Sequence, residues 1–273
     1  MNFLYIIWDV SPELISIGPL HIRWYGLLFA LGFIISYYIM GYFFKQAHLS
    51  SELLDKLTIY VALGTVLGAR FGHVFFYEPQ YYISHPGEIL KIWHGGLASH
   101  GAAIGILISL WLFVRKYRSI RFMWLLDRIA IVVAITGSLV RIGNLMNSEI
   151  VGKASTVPWA FAFVRDNLAR GFPADYTRHP TQIYESLFYF MLFVVLYYLL
   201  QYKKWSQKEG YTFSLFLILL FAFRFFIEFF KDIQVAFEQS MPLDMGQWLS
   251  IPFILGGIAL WLNARKKIKH KTV

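Results

Sequence analysis

"IAIVVAITGSLVRIGNLMNSEIVG", residues 129–152, runs apolar through Val140 and then turns polar within a single helical turn, with Arg141, Asn144, Asn147 and Glu149 in quick succession. About twenty predominantly apolar residues suffice for a helix to cross a bilayer core. The window 124–143 meets that requirement, so the stretch reads as a membrane span with a polar end. An ionisable side chain at the bilayer centre costs roughly 2.5–3.5 kcal/mol on insertion scales, which makes each one a functional candidate. Near a span end the competing reading is a side chain that snorkels to the surface. The fold and the chemistry both turn on which reading holds here.

Working outward, six more windows have the same character: 24–44, 58–77, 96–114, 183–201, 211–230 and 246–262. Of the 273 residues, 58% are hydrophobic and 15% charged, against about 25% charged in a soluble globular domain. A soluble surface cannot be built from so few charges. The expected fold is therefore an all-α polytopic membrane protein with about seven transmembrane helices and a small external cap. The spans leave no room for a separate soluble core, so residues 1–273 read as one transmembrane domain. The cap is the segment 144–182, which carries Pro158, Pro173, Pro180, several glycines and both charge signs.

The formal charge of +9 gathers in "RKYRSIR" (115–121), "KKWSQK" (203–208) and "RKKIKHK" (265–271), each against an apolar run. Such clusters fix topology and meet anionic lipid. No nucleic-acid recognition module accompanies them, so nucleic acid is not an expected partner. Their loops alternate with loops poor in Lys and Arg, which puts the C-terminus in the cytoplasm and the N-terminus and cap outside. The opening "MNFLYIIWDVSPELISIG" lacks a basic n-region and a small-residue cleavage site, so it is not expected to be a cleaved signal peptide. The chain contains no cysteine, so a nucleophilic thiol, if the chemistry uses one, belongs to the substrate.

Polar residues recur at the span ends. Tyr25, in "RWYG", suits the aromatic belt and can also donate a hydrogen bond to a headgroup. "GTVLGARFGHVFFY" (64–77) spaces Gly64, Gly68 and Gly72 four apart, a stripe that lets a neighbouring helix approach closely. Arg70, near the middle of this span, is expected to face a polar interior, and its role stays open. His100, in "HGGLASHG" (94–101), is the side-chain type suited to proton transfer near neutral pH, or else a structural histidine. Arg141 presents a planar fork of donors suited to phosphate or carboxylate, and Asn144, Asn147 and Glu149 surround it. An anion site beside the bilayer surface suggests a phospholipid headgroup; a structural salt bridge is the alternative. "TRHPTQIYESL" (177–187) brings His179, Gln182 and Glu185 to the start of the fifth span. "FAFRFFIEFF" (221–230) sets Arg224 and Glu228 as an i,i+4 pair. Two arginines from separate spans can clamp one phosphodiester. No metal-ligand spacing, nucleotide loop or serine elbow is present, and no cofactor is expected.

These motifs together resemble the prolipoprotein diacylglyceryl transferase family over nearly the whole chain. The most specific match is "RIGNLMNSEIVG" (141–152), through Arg141, Gly143, Asn144, Asn147, Glu149 and Gly152. "RWYG", "GARFGHVFFY", "HGGLASHG", "RHPTQIYE", "RFFIEFF" and "MGQWLS" follow the family order. Two departures stand out, alanines in "HGAAIG" where glycine usually repeats and Lys153 where arginine is common. The resemblance implies a multi-pass enzyme of the bacterial inner membrane. It implies transfer of the diacylglyceryl group of phosphatidylglycerol to the lipobox cysteine of a preprolipoprotein, the first step of lipoprotein maturation, with glycerol phosphate released. On that expectation Arg141 and Arg224 hold the phosphate and His100 helps form the thiolate. Tyr25 and Asn144 orient the headgroup, Glu149 and Glu228 position the arginines, and Gly152, His179, Gln182 and Glu185 complete the binding site. The rival class is a small transporter or channel with Arg, His and Glu along its path. Such a path needs polar groups through the midplane, whereas most here cluster at the external ends. A lipid-carrying structural protein is the third reading.

Overall fold

A computed structural model describes residues 5–18, 20–92, 95–96, 98–203, 205, 208–233 and 241–269. His94 and Leu97, Lys204, Ser206 and Gln207, and the residues of the basic tail after Lys269 lie outside that description.

Three short strands come first: β1 (Ile6–Trp8), β2 (Glu13–Ile17) and β3 (Leu20–Arg23). β2 and β3 form an antiparallel hairpin that turns at Gly18, whose φ of 56° suits glycine. The helices α1 (Trp24–Gln46) and α2 (Ser51–Phe76) follow, the latter capped by the Ser50 hydroxyl accepting from the Leu53 N–H. A short α3 (Pro79–Ser84) and a 3-10 turn (Pro86–Leu90) lead to α4 (Ser99–Lys116) and α5 (Phe122–Met146). The cap contributes β4 (Phe161–Phe163), α6 (Val164–Ala169) and β5 (Thr177–Arg178). The chain then runs through α7 (Thr181–Tyr202), α8 (Tyr211–Ile227), a 3-10 turn (Glu228–Phe230) and α9 (Met245–Lys269).

Among the described residues six helices are long and apolar enough to cross a membrane: α1, α2, α5, α7, α8 with its 3-10 turn, and α9 up to Lys266. Six of the about seven expected spans meet that measure of length and composition. The expected span 96–114 exists as α4, but it starts only at Ser99 and takes in His100, Arg115 and Lys116. Those polar ends dilute its apolar character. Most apolar side chains on the spans stay outside the protein's own core, among them Ile34, Tyr38, Leu63, Leu187 and Leu255. Such surfaces suit lipid, where every backbone group must be bonded within the helix.

The chain divides into two compact units, Met1–Tyr38 with Leu126–Val273, and Ile39–Leu125. In the first unit, α5 bonds to α1 through Thr136 and Ser36 hydroxyls 2.9 Å apart, with Gly32 giving the clearance for Thr136. Buried Asp127 accepts from the Gly210 and Phe213 N–H groups at 2.7 and 2.8 Å. Orphan donors at the start of α8 are thus satisfied by a carboxylate from another span. β1 joins the cap strands β4 and β5 in a three-stranded sheet of order β1-β4-β5, with β1 parallel to β4 and β5 antiparallel to it. Leu145, Val151 and the β4 residues Phe161 and Phe163 form a buried cluster, with Trp8 and Ile183 packed against it.

In the second unit α2 packs on α4 through small residues. A Cβ at Gly64 would lie 2.6 Å from the Ser109 hydroxyl, and one at Gly72 would lie 2.6 Å from Gly101 Cα. The expected glycine stripe is therefore a helix–helix contact that only glycine permits.

Candidate functional site

The polar end of α5 is shaped by how the helix stops. The Ser148 N–H bonds the Leu145 carbonyl and the Glu149 N–H bonds the Asn144 carbonyl, both at 3.0 Å. This is the Schellman pattern, with Ser148 taking the left-handed position at φ 54° that glycine usually fills. Ile150 is also left-handed, at φ 57°, unusual for a β-branched residue. The tight reversal returns the Glu149 side chain toward the helix it has just left. Its Oε1 accepts from Asn144 Nδ2 at 2.7 Å and from Asn147 Nδ2 at 3.2 Å. Ser148, which an unbroken helix would have placed on the face of Arg141 and Asn144, instead lies beyond the helix end.

Gln182 is buried on α7 and donates from Nε2 to the Glu149 carbonyl at 2.8 Å, while Thr181 donates to the Ile150 carbonyl at 2.9 Å. The start of α7 thereby fixes the turn. Gly152 sits where three segments meet: its N–H bonds the His179 carbonyl at 3.0 Å, and the next residue's N–H bonds the Phe230 carbonyl at 2.8 Å. A Cβ at Gly152 would lie 2.6 Å from the His179 carbonyl oxygen and 2.8 Å from that of Phe230. Gly143 on α5 is likewise backed by Tyr25, whose ring carbon a Cβ would meet at 2.8 Å. Tyr25 thus lies against the turn of α5 that carries Arg141 and Asn144.

Arg141 donates from Nη1 to Asn144 Oδ1 at 3.2 Å, and its Nε lies 3.2 Å from Glu185 Oε2. Its guanidinium carbon lies 6.0 Å from the centre of the Tyr189 ring. Glu185 is completely buried, and its other oxygen lies 3.1 Å from Lys231 Nζ. Lys231 also reaches Glu228 Oε1 at 3.3 Å, and that same oxygen lies 3.8 Å from Arg224 Nη2. Gly246, the second residue of α9, admits the Glu228 carboxyl so closely that a Cβ there would meet its Cδ at 2.6 Å. The result is a continuous chain of charges from α5 through α7 to the end of α8. Arg224 keeps a third of its side-chain surface accessible (34%).

The candidates from α5, the cap, α7 and α8 are therefore joined in one network, and the expected Arg224–Glu228 pair is present. Lys231 was not singled out by sequence. It lies directly after the 3-10 turn that follows α8, and nothing local in the sequence marks it as the partner of Glu185.

His179 stands beside this network at the cap. Its Nδ1 lies 3.2 Å from the Tyr184 hydroxyl, which accepts from Trp159 Nε1 at 2.8 Å. Partial burial holds its pKa below the ordinary 6.5, because desolvation disfavours the imidazolium. Neighbouring Arg178 is almost fully buried between Phe172 and Tyr176 and pairs with Asp166 and Asp232 at 3.4 and 3.2 Å. It anchors the cap.

In the second unit His100 is exposed near the start of α4. Its ring stacks on Tyr77 with centres 5.7 Å apart and meets Phe76 edge-on at 5.3 Å. Arg70, whose purpose the sequence leaves open, is buried and donates to the carbonyls of Glu88, Ile89, Lys91, Gly95 and Gly96. Five backbone acceptors explain the arginine as the organiser of the loop before α4. Gly96, at φ 72°, passes against His73, where a Cβ would meet the ring at 2.6 Å. Among the described residues no group of three or more His, Asp or Glu is placed to hold a metal ion.

In the first unit two arginines, each beside a carboxylate, are linked through a lysine that both carboxylates share. Comparison with known proteins gives the chemical context. The family model described as prolipoprotein diacylglyceryl transferase matches residues 12–263. The chain is 48% identical to the phosphatidylglycerol–prolipoprotein diacylglyceryl transferase of Tolumonas auensis, over 96% of this chain and 98% of that one. It is 43% identical to the protein of the same name from Chloroherpeton thalassium, over 96% of both chains, and 40% identical to that of Nitrosomonas europaea, over 92% and 88%.

Proposed function

The chain belongs to the prolipoprotein diacylglyceryl transferase family, and from that membership we propose that it transfers the diacylglyceryl group of phosphatidylglycerol to the lipobox cysteine of preprolipoproteins. The cysteine sulfur forms a bond to the glyceryl carbon that carries the phosphodiester. The C–O bond to phosphate breaks, its electron pair stays on the phosphate oxygen, and glycerol phosphate leaves. The thiol proton goes to a base.

The single observation that carries the site assignment is the Arg141–Glu185–Lys231–Glu228–Arg224 chain of ion pairs. Arg141 and Arg224 take the lipid phosphate, and their charge stabilises the negative charge that grows on the leaving group. Asn144 and Tyr25 orient the headgroup. Glu149 acts on Arg141 through the Asn144 amide, and Gln182 acts on Glu149 through its backbone. Gly152 and His179 hold the turn against α7. His100 is assigned to thiolate formation, since the thiolate is the competent nucleophile. The exposed ring beside Tyr77 supports that role, and an unchanged pH–rate profile in His100→Gln would overturn it.

The chain acts as one catalytic domain in the bacterial inner membrane, with the N-terminus and the 144–182 cap outside and the C-terminus in the cytoplasm. The test is incubation of the purified protein with phosphatidylglycerol and a lipobox peptide. A diacylglyceryl mass increment on the peptide, absent when its cysteine is replaced by serine, is the expected result. No increment, or one independent of the cysteine, would overturn the reading.

A further inference from the structure

We propose that Lys231 is a positioning residue that keeps Arg141 and Arg224 electrostatically available to an anionic lipid headgroup. The proposal rests on the assignment of those arginines to the phosphate.

Lys231 is 3% exposed and follows the 3-10 turn that ends α8. Its backbone is fixed independently of its side chain: its N–H bonds the Glu228 carbonyl at 3.2 Å, and it forms an isolated bridge with Gly152. The ammonium is thereby aimed between two carboxylates, 3.1 Å from Glu185 Oε1 and 3.3 Å from Glu228 Oε1. Each of those carboxylates is also the partner of one arginine.

The five linked groups are three cations and two carboxylates, which leaves one positive charge. That surplus complements the single negative charge of a phosphodiester. Glu149 stands outside this ion chain, its Oε1 bonded by the Asn144 and Asn147 amides. Without the lysine, two arginines would face two carboxylates with no surplus. A buried carboxylate that loses one of its two cations draws the other in more tightly. Incoming phosphate would then compete with Glu185 for Arg141 and with Glu228 for Arg224. Glu185 and Glu228 are thus made weak competitors by sharing Lys231.

This predicts a pattern that simple loss of structure does not produce. Lys231→Met raises the KM for phosphatidylglycerol about tenfold or more, as expected when a buried charge partner is removed. Lys231→Arg keeps the charge and restores KM to near the wild-type value. Lys231→Met combined with Glu185→Gln removes one charge of each sign, keeps the surplus of one, and recovers most of the lost affinity. Initial rates are measured with a lipobox peptide while phosphatidylglycerol is varied in mixed micelles, beside thermal unfolding of each variant. If Lys231→Met does not fold, the double variant decides: a KM close to wild type supports the proposal and a strongly raised one overturns it. An unchanged KM in folded Lys231→Met, or a double variant no better than the single one, also overturns it. Failure of the wild-type protein to modify the peptide would instead overturn the reading on which the proposal rests.

Discussion

Ser148 occupies a left-handed position where helix ends favour glycine, and its buried hydroxyl has no hydrogen-bond partner among the described residues. Both features cost stability. Ser148→Gly is predicted to stabilise the protein by about 0.5–1 kcal/mol, read as a higher thermal midpoint; a lower midpoint would contradict the strained-turn account. His179 makes a pH prediction of definite sign. Burial lowers its pKa below 6.5, so the unfolded chain takes up the proton first as pH falls. The stability linked to this group is complete above 6.5 and declines as pH drops through that value. His179→Gln should flatten that part of the stability profile between pH 7 and 5, and an unaltered profile would contradict it. The clustering of Arg141, Asn144 and Glu149 was legible in the sequence, because they lie within one short stretch. Lys231 was not legible. Its two carboxylate partners come from the start of α7 and the end of α8, and only the fold brings them to one ammonium.

Elements divide by how local their signal is. The spans were readable because apolarity sums over consecutive residues, and their observed ends differ from the expected ones mainly where polar residues extend a helix. α2 begins at Ser51 rather than near 58, since a capped amphipathic turn precedes the lipid-facing part. The cap sheet left no trace in the sequence. Its strands are two or three residues long, too short for an alternating pattern, and β1 pairs with a strand far along the chain. The α2–α4 contact offers a direct test of packing. Gly68→Leu would drive a side chain into Gly105, whose Cα lies 2.8 Å from the added Cβ. A loss of about 1–3 kcal/mol or more follows from such overpacking. Gly87→Ala, with nothing within 4 Å of the added carbon, serves as the neutral control. Equal stability of the two variants would contradict the proposed contact.

At the scale of the whole molecule, basic loops alternate with loops poor in Lys and Arg, and this predicts one orientation in the membrane. The absence of native cysteine makes the prediction easy to read. A single cysteine at exposed Asp175 in the cap should react with an impermeant maleimide on intact spheroplasts, and one at exposed Arg118 only after lysis; the reverse pattern would invert the topology. In that proposed orientation the polar span ends, and the chain of charges from Arg141 to Arg224, lie at the outer face. The central claim is that this chain holds the phosphate of phosphatidylglycerol while the glyceryl carbon is transferred. It is tested most directly by the rate of diacylglyceryl transfer to a lipobox peptide by purified Arg141→Ala, with folding checked by thermal unfolding. The account predicts a fall of about a hundredfold or more, the scale of losing a donor to the developing charge; full activity in a folded Arg141→Ala protein would contradict it.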